Sequence, residues 1–182
     1  LNLATNNNFS RNELRSRIKS KEYERLGESA KTKLIANKEL LLPDLVKNPI
    51  LIKNPNRCDE ISEKILQQII LEDIESFMKE LGTGFCFIGK ECPIKIGNNY
   101  NYIDLLLFNY EYNCFVVIEL KVTRLKKEHI GQIEVYMNYI DKNLKKPNQD
   151  KTIGIIVCRE NNEYIIEYCS DKRIIARNYE LV

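Results

Sequence analysis

Apolar residues follow the helical period in two long stretches of the chain. Between Asp59 and Leu81 they recur every three or four positions, which predicts an amphipathic helix that ends at Gly82. Between Ile130 and Leu144 the spacing is three, four, three and four, which predicts a second helix with one face toward the core.

Short β-branched and aromatic runs, bounded by turn-forming residues, predict strands in the second half of the chain. They cover residues 84–89, 91–97, 102–108, 114–121, 152–158 and 173–176, the last as an edge strand, whereas 161–168 fits a short helix or a strand. The runs at 102–108 and 114–121 flank a polar connection and predict a hairpin. A strand meander, a crossover helix and a returning strand predict an α/β fold, with a three-layer α/β/α core and a mixed central sheet.

The first 58 residues lack this regular pattern. Ser10 begins a capping box, which predicts a basic helix that runs to about Leu26 and ends at Gly27. Its basic face fits contact with nucleic-acid phosphates, but an ordinary solvated face is the simpler interpretation. Residues 28–58 contain three prolines and predict an irregular linker over the surface. We therefore divide the chain into an arm and linker, residues 1–58, and a core domain, residues 59–182.

Composition indicates a soluble globular protein, with 43% hydrophobic and 30% charged residues. No apolar run approaches the roughly 18 to 20 residues that span a bilayer, and no signal segment opens the chain, so we expect a cytoplasmic location and no membrane partner. The chain begins with Leu1, which suggests a piece of a longer protein. The 6 cysteines show no CxxC pair and there is 1 histidine, so we expect reduced thiols and neither a disulfide framework nor a zinc site.

The hairpin carries the candidate chemistry, because each strand holds a carboxylate in an apolar setting. Side chains alternate along a strand, so Glu119 and Lys121 share a face while Leu120 points away. Hairpin pairing brings Asp104 close to Glu119. Two carboxylates and the Leu120 carbonyl are oxygen ligands of the kind that Mg²⁺ prefers, and a lysine beside them can orient a water molecule. On these residues alone, an ordinary Glu–Lys ion pair at a strand end fits equally well.

Further blocks around these residues favour the catalytic interpretation. In chain order they are residues 82–89, 102–106 and 117–121, then Gly131, Gln132 and Tyr136, then residues 153–158. Together they resemble the PD-(D/E)xK nuclease superfamily, in particular the YhcG-type bacterial nucleases, from about Ser62 to the end of the chain.

The resemblance implies a restriction-endonuclease-like fold and a divalent-metal-dependent DNA endonuclease that acts in repair, recombination or defence. Asp104, Glu119 and the Leu120 carbonyl would hold Mg²⁺ or Mn²⁺, and Lys121 would position the attacking water. Gln132 and Tyr136 would lie on the substrate side, although packing roles explain them equally well.

A third acidic ligand is left open. In related nucleases the first helix often supplies one, and the candidates here are Glu63, Glu72 and Asp73. At the position where the resemblance leads us to expect it, the chain has Gln67.

Charge limits how DNA would be held. Residues 1–60 carry a net charge of +4 and residues 61–182 a net charge of −2, so the core domain has no broad attractive field. We expect local contacts from Arg124, Lys126 and Lys127, helped by the basic arm or a further domain. Homodimer formation is left open.

The competing interpretation is a non-catalytic module that binds nucleic acid or a partner protein on the same fold. The three intact charged residues of the hairpin argue against it, because binding alone gives no reason to keep buried charges. An unrelated α/β protein with a Glu–Lys ion pair would leave the later blocks as coincidence.

Overall fold

The computed structural model describes residues 10–55 and 61–182. Its elements in chain order are α1 (Arg11–Lys19), α2 (Glu28–Ile35), α3 (Leu42–Leu45), β1 (Ile50–Ile52), α4 (Glu63–Glu72), α5 (Ile74–Leu81), β2 (Phe85–Ile96), β3 (Asn99–Asn109), β4 (Cys114–Arg124), α6 (Lys127–Asn143), β5 (Asp150–Glu160), α7 (Glu163–Glu167) and β6 (Ile174–Leu181).

The strands form a mixed sheet in the order β1-β6-β5-β4-β3-β2. β2, β3 and β4 are an antiparallel meander, and β5, β6 and β1 continue from β4 as parallel neighbours. The predicted hairpin is confirmed, since β3 and β4 pair from Leu105 with Ile118 to Asn109 with Cys114. Helix α6 connects β4 to the parallel strand β5, as a crossover must.

Helices cover both faces of this sheet. Leu66 of α4 and Phe77 of α5 pack on one face, in the same cluster as Ile118. Ile133 of α6 packs on the other face, in the cluster that holds Val117. The neighbours Val117 and Ile118 divide between the two clusters because side chains alternate along β4. The predicted three-layer α/β/α arrangement with a mixed sheet is confirmed.

The N-terminal helix is shorter than its pattern predicts. The capping box is confirmed, because the Ser10 and Glu13 side chains each accept the other residue's backbone N–H. The expected end near Leu26 is wrong, since α1 ends at Lys19 and Lys21 takes a left-handed backbone with φ of 52°. The chain leaves the helix there through turns.

The helix predicted over residues 59–81 is two helices in its described part. Asp73 leaves the helical conformation with φ of −137°, and its side chain accepts the Ser76 N–H to cap α5. Apolar periodicity alone does not reveal this break, because the pattern continues across it. The predicted end at Gly82 is confirmed, where φ is 127°.

Three strand predictions change. Residues predicted as two strands, 84–89 and 91–97, are the single strand β2 with a bulge between Phe87 and Gly89. The expected edge strand at 173–176 is wrong, because β6 lies between β5 and β1. The ambiguous stretch at 161–168 contains the short helix α7.

The interpretation of residues 28–58 as an irregular surface linker is wrong for the described part. It contains α2, α3 and β1, and β1 pairs with β6. Its buried side chains include Leu42, Val46, Ile50 and Ile52, which pack into the α4 and α5 side of the core. The division near residue 58 lies within residues 56–60, outside the described residues, and stays a prediction.

Within the described ranges the cysteines are free thiols, and Cys58 lies outside those ranges. No helix in the described part of the chain is long and apolar enough to cross a membrane.

Candidate active site where two strands separate

Asp104 is the first residue beyond the point where β3 and β4 stop pairing. Its carboxylate accepts the Leu120 backbone N–H at 2.7 Å, and so takes the place of a strand partner. Burial raises the pKa of Asp104, although the Leu120 N–H and the Lys121 charge oppose that rise. The side chain is therefore held against β4.

Glu119 is a carboxylate in the protein core, with 1% of its surface exposed. Burial, together with the Asp104 carboxylate, raises the pKa of Glu119 from 4.5 to about 8. Its Oε2 accepts a hydrogen bond from Lys121 Nζ at 3.3 Å, whereas Oε1 has no hydrogen-bond partner within the described ranges. A buried carboxylate oxygen without a partner costs free energy unless a proton or a cation satisfies it.

Lys121 is buried beside two carboxylates. Its Nζ lies 3.3 Å from Glu119 Oε2 and 3.7 Å from Glu63 Oε2. Burial lowers the pKa of Lys121, but the carboxylates of Glu119, Glu63 and Asp104 outweigh that effect and the pKa is raised. Lys121 therefore carries its positive charge at neutral pH.

The structure distinguishes the three acidic candidates left open by the sequence. Glu63, in the first turn of α4, is the one that contacts Lys121. Asp73 pairs with Lys53 at 2.6 Å, on the far end of the helix, and Glu72 neighbours it there. Of these three candidates, Glu63 is therefore the one that pairs with a hairpin residue.

Gln67 stands where the resemblance leads us to expect an acid. It is 8% exposed, and its Nε2 donates to the Asp104 backbone carbonyl at 3.0 Å. An ionised carboxylate has no proton to donate to that carbonyl. Gln67 therefore positions the backbone of β3 beside the site.

Gln132 and Tyr136 lie one turn apart on α6, and Gln132 Nε2 donates to the Tyr136 hydroxyl at 3.0 Å. Burial raises the pKa of Tyr136, the hydrogen bond from Gln132 lowers it, and the charges of Glu119 and Lys121 also act on it. Tyr136 therefore lies close enough to Glu119 and Lys121 for their charges to affect its pKa. Their contact with substrate stays a prediction.

His129 lies near the same charges and was not assigned a role from the sequence. Its Nδ1 accepts the Lys126 backbone N–H at 3.2 Å, which caps α6 and places the ring proton on Nε2. Burial, and then the Lys121 charge, lower the pKa of His129, so the imidazole is neutral at pH 7. A lone histidine outside any motif gives no sequence signal for this placement.

The predicted DNA-contacting residues lie where β4 turns into α6. Lys126 and Lys127 are exposed, and the buried Leu125 anchors the turn between them and β4. Arg124 Nε lies 3.4 Å from Glu160 Oε1, and both side chains are largely exposed. The two lysines therefore present their charges to solvent just beyond the strand that carries Lys121.

The oxygen donors of Asp104 and Glu119 fit a hard divalent cation. No group of three or more His, Cys, Asp and Glu side chains that could hold a metal occurs in the described ranges. Mg²⁺ typically uses one or two carboxylates and fills its other positions with water and phosphate. Asp104 and Glu119 meet that requirement, and the unpartnered Glu119 Oε1 fits a cation ligand. The role of the Leu120 carbonyl stays a prediction.

The family model of the YhcG PDDEXK nuclease domain matches residues 43–182. The chain belongs to this family. The matched region begins within α3, so the family domain includes β1 and extends on the N-terminal side of residue 59. The resemblance to YhcG-type nucleases and the predicted restriction-endonuclease-like fold class are confirmed.

A curated relative in this family is "Putative nuclease YhcG" of Escherichia coli (strain K12). The two are 28% identical over 125 residues, which cover 69% of this chain and 33% of the relative. The chain thus spans about one third of the length of the curated relative that it matches.

Two solved structures of nucleases are also similar. The structure titled "Structure of EndoMS-dsDNA2 complex" has a TM-score of 0.49 and 20% identity, over 68% of this chain and 48% of that chain. A repair endonuclease from Pyrococcus abyssi has a TM-score of 0.44 and 19% identity, over 69% and 49% of the two chains.

Proposed function

We propose that this chain is a divalent-metal-dependent DNA endonuclease that hydrolyses phosphodiester bonds. The observation that carries the proposal is the convergence of Asp104, Glu119 and Lys121 where β3 and β4 separate. Membership in a nuclease domain family supports the same chemistry. The choice of DNA as substrate rests on the resemblance of the hairpin motif and its neighbouring blocks.

Asp104 and Glu119, with the Leu120 carbonyl, would hold Mg²⁺ or Mn²⁺. Such an ion, when bound, polarises a phosphate and lowers the pKa of a coordinated water. The protein fixes the two carboxylates in advance. The Leu120 N–H holds Asp104, and close packing around β4 restricts Glu119. This preorganisation avoids a reorganisation cost during the reaction.

Lys121 would orient the attacking water and stabilise negative charge on the phosphate. Its raised pKa keeps the side chain protonated at neutral pH, so it acts as a hydrogen-bond donor and a positive charge, and not as a base. Glu63, 3.7 Å from Lys121 Nζ, would orient the ammonium group.

The substrate side would be formed by α6 and by the turn that precedes it. Gln132 and Tyr136 would contact the DNA next to the reacting phosphate, and Arg124, Lys126 and Lys127 would contact neighbouring phosphates. The net charge of −2 over residues 61–182 supports this dependence on local groups.

The biological setting is proposed on the same resemblance. We place the activity in DNA repair, recombination or defence, in the cytoplasm, with the basic helix α1 adding positive charge. The curated relative is about three times as long as the matched segment, so further domains of a longer parent, and a homodimer, are compatible with the proposal.

The test is cleavage of a panel of DNA forms, namely duplex, single-stranded, branched and modified, in Mg²⁺ or Mn²⁺ and in EDTA. We expect metal-dependent cleavage of at least one form and its loss in Glu119→Ala. The matched control is Glu180→Gln, which changes an exposed carboxylate at the end of β6 and should leave cleavage unchanged. Absence of cleavage of every form, also by the longer parent protein, would favour a non-catalytic binding module.

A further inference from the structure

A stripe of polar side chains runs along one face of α6. His129, Gln132 and Tyr136 are spaced by three and four residues, which places them above one another on a helix, about 4.5 Å and about 6 Å apart along its axis. The hydrogen bond from Gln132 to Tyr136 follows from this spacing. His129 is the member nearest the N-terminus of α6, next to the turn that holds Lys126.

The two ends of this stripe lie close to Lys121. The charges of Glu119 and Lys121 act on the pKa of Tyr136, and the charges of Lys121 and Glu63 act on the pKa of His129. The His129 ring is half-buried. The stripe therefore borders the proposed active site, and His129 belongs to that border together with the two residues already assigned to the substrate side.

The His129 ring holds a free hydrogen-bond donor in a fixed place. Because Nδ1 accepts the Lys126 backbone N–H, the neutral ring carries its proton on Nε2. Nε2 has no hydrogen-bond acceptor within the described ranges of the chain. The cap thus orients the ring, and its N–H is available to a ligand.

We propose that His129 binds the DNA strand at the proposed active site, by donating its Nε2 proton to an oxygen of a phosphate next to the scissile phosphate. The inference rests on the proposed nuclease function and adds a substrate-binding residue to it. A phosphate fits this donor, because its oxygens accept hydrogen bonds and receive most of the bonds that proteins make to DNA. Bonds to such charged acceptors are also the stronger ones.

Position and charge favour a phosphate at this place. The stripe leads from Tyr136 to the turn in which the exposed Lys126 and Lys127 present positive charge. A strand that contacts these lysines and also reaches Lys121 passes His129. The charges of Lys121 and Lys126 oppose protonation of the ring and so lower the pKa of His129. A neutral ring supplies a donor there without adding a further positive charge.

Two carboxylates also act on His129, and neither takes its Nε2 proton. Glu63 Oε2 lies 3.7 Å from Lys121 Nζ, which balances its charge. Glu128 is the adjacent residue on α6, and adjacent residues of a helix do not face each other. Neither carboxylate therefore competes with a phosphate for this donor.

The test separates the donor from the cap. His129→Asn keeps an oxygen close to the position of Nδ1 and removes Nε2, whereas His129→Gln places an amide N–H close to the position of Nε2. Anisotropy of labelled duplex and single-stranded oligonucleotides, with Ca²⁺ in place of Mg²⁺, measures binding. His129→Asn should bind DNA about tenfold more weakly than the wild type, and His129→Gln should bind nearly as well. Urea midpoints should equal that of the wild type in both, and Glu180→Gln is the control.

Salt dependence distinguishes a neutral donor from an ionic contact. His129→Asn removes no charge, so the slope of log Kd against log salt concentration should match that of the wild type. Lys127→Gln should instead reduce the slope by about one. A reduced slope in His129→Asn would overturn the inference, because it would mean that the substitution displaces the neighbouring lysines.

DNA binding that His129→Asn leaves unchanged would also overturn the inference, as would weaker binding together with a lower urea midpoint. A wild type that binds neither oligonucleotide would overturn it as well. Cleavage in Mg²⁺ separates the two proposals. Binding that depends on His129, without cleavage of any DNA form, supports the phosphate contact and contradicts the nuclease function. Cleavage by the wild type with binding that His129→Asn does not affect has the opposite meaning.

Discussion

Replacing Glu119 with glutamine tests whether the ionised Glu119 carboxylate destabilises the folded protein when no cation is bound. The folded protein raises the pKa of Glu119 from 4.5 to about 8, through burial and then through the Asp104 charge. Below pH 4.5 the carboxyl group is protonated in both the folded and the unfolded chain. As the pH rises toward 8, the unfolded chain ionises while the folded chain holds its proton, so the metal-free protein loses stability.

The size of this loss follows from the pKa change. One pKa unit corresponds to about 1.4 kcal/mol, so the free energy of unfolding falls by about 3 kcal/mol between pH 4.5 and pH 7, and by about 4 to 5 kcal/mol above pH 8. Glu119→Gln cannot ionise and avoids this loss. In EDTA the variant should therefore gain stability relative to the wild type as the pH rises, while Mg²⁺ or Mn²⁺ should stabilise the wild type only.

Urea unfolding followed by circular dichroism, at several pH values between 5 and 8 in EDTA, measures the difference. Glu180→Gln is the control, since it makes the same chemical change at an exposed carboxylate at the end of β6. A difference between wild type and Glu119→Gln that stays constant from pH 5 to 8 would refute the reasoning, because it would mean that Glu119 ionises as readily in the folded chain as in the unfolded one.

Two further predictions concern Lys121 and the packing of α6. Lys121→Ala should lower turnover on DNA at least a hundredfold while changing DNA affinity much less. Single-turnover rates and fluorescence anisotropy would measure the two effects. A variant that does not fold would instead assign Lys121 a structural role. Gly154→Ala should destabilise the protein by about 1 to 3 kcal/mol, because a Cβ there would lie 2.5 Å from Met137 Sδ in the core. A Cβ added at Gly131 would meet open space, so Gly131→Ala should instead stabilise α6 by about 0.5 to 1 kcal/mol. Equal urea midpoints for the two glycine variants would contradict this account of the packing.

The hairpin and its charged residues were predictable because they depend on local pattern. Alternation along β4 fixes Glu119 and Lys121 on one face, and hairpin pairing brings Asp104 close to them. Glu63 and Gln67 were not predictable to the same degree. Which turn of α4 faces the strand ends depends on how the helix packs, and helical periodicity does not determine that.

The sequence also does not reveal which glycine allows helix and sheet to approach each other closely. A glycine within an amphipathic helix, such as Gly131, suggests a close approach between helix and sheet, but Gly131 is exposed and has open space around it. The close approach lies on the strand instead, at Gly154 beneath Ile133 and Met137. The prolines of residues 28–58 also led to a wrong prediction, since buried side chains such as Ile50 pack the described part of that segment into the core.

The central claim is that Asp104 and Glu119 together hold the ion, while Lys121 serves the chemistry. Its most direct test is Mn²⁺ binding, followed by electron paramagnetic resonance, in a Lys121→Ala protein saturated with DNA. The account predicts that this complex binds Mn²⁺ and that adding Asp104→Asn or Glu119→Gln abolishes the binding, while adding Glu180→Gln leaves it intact. Mn²⁺ binding that survives both changes would contradict the account.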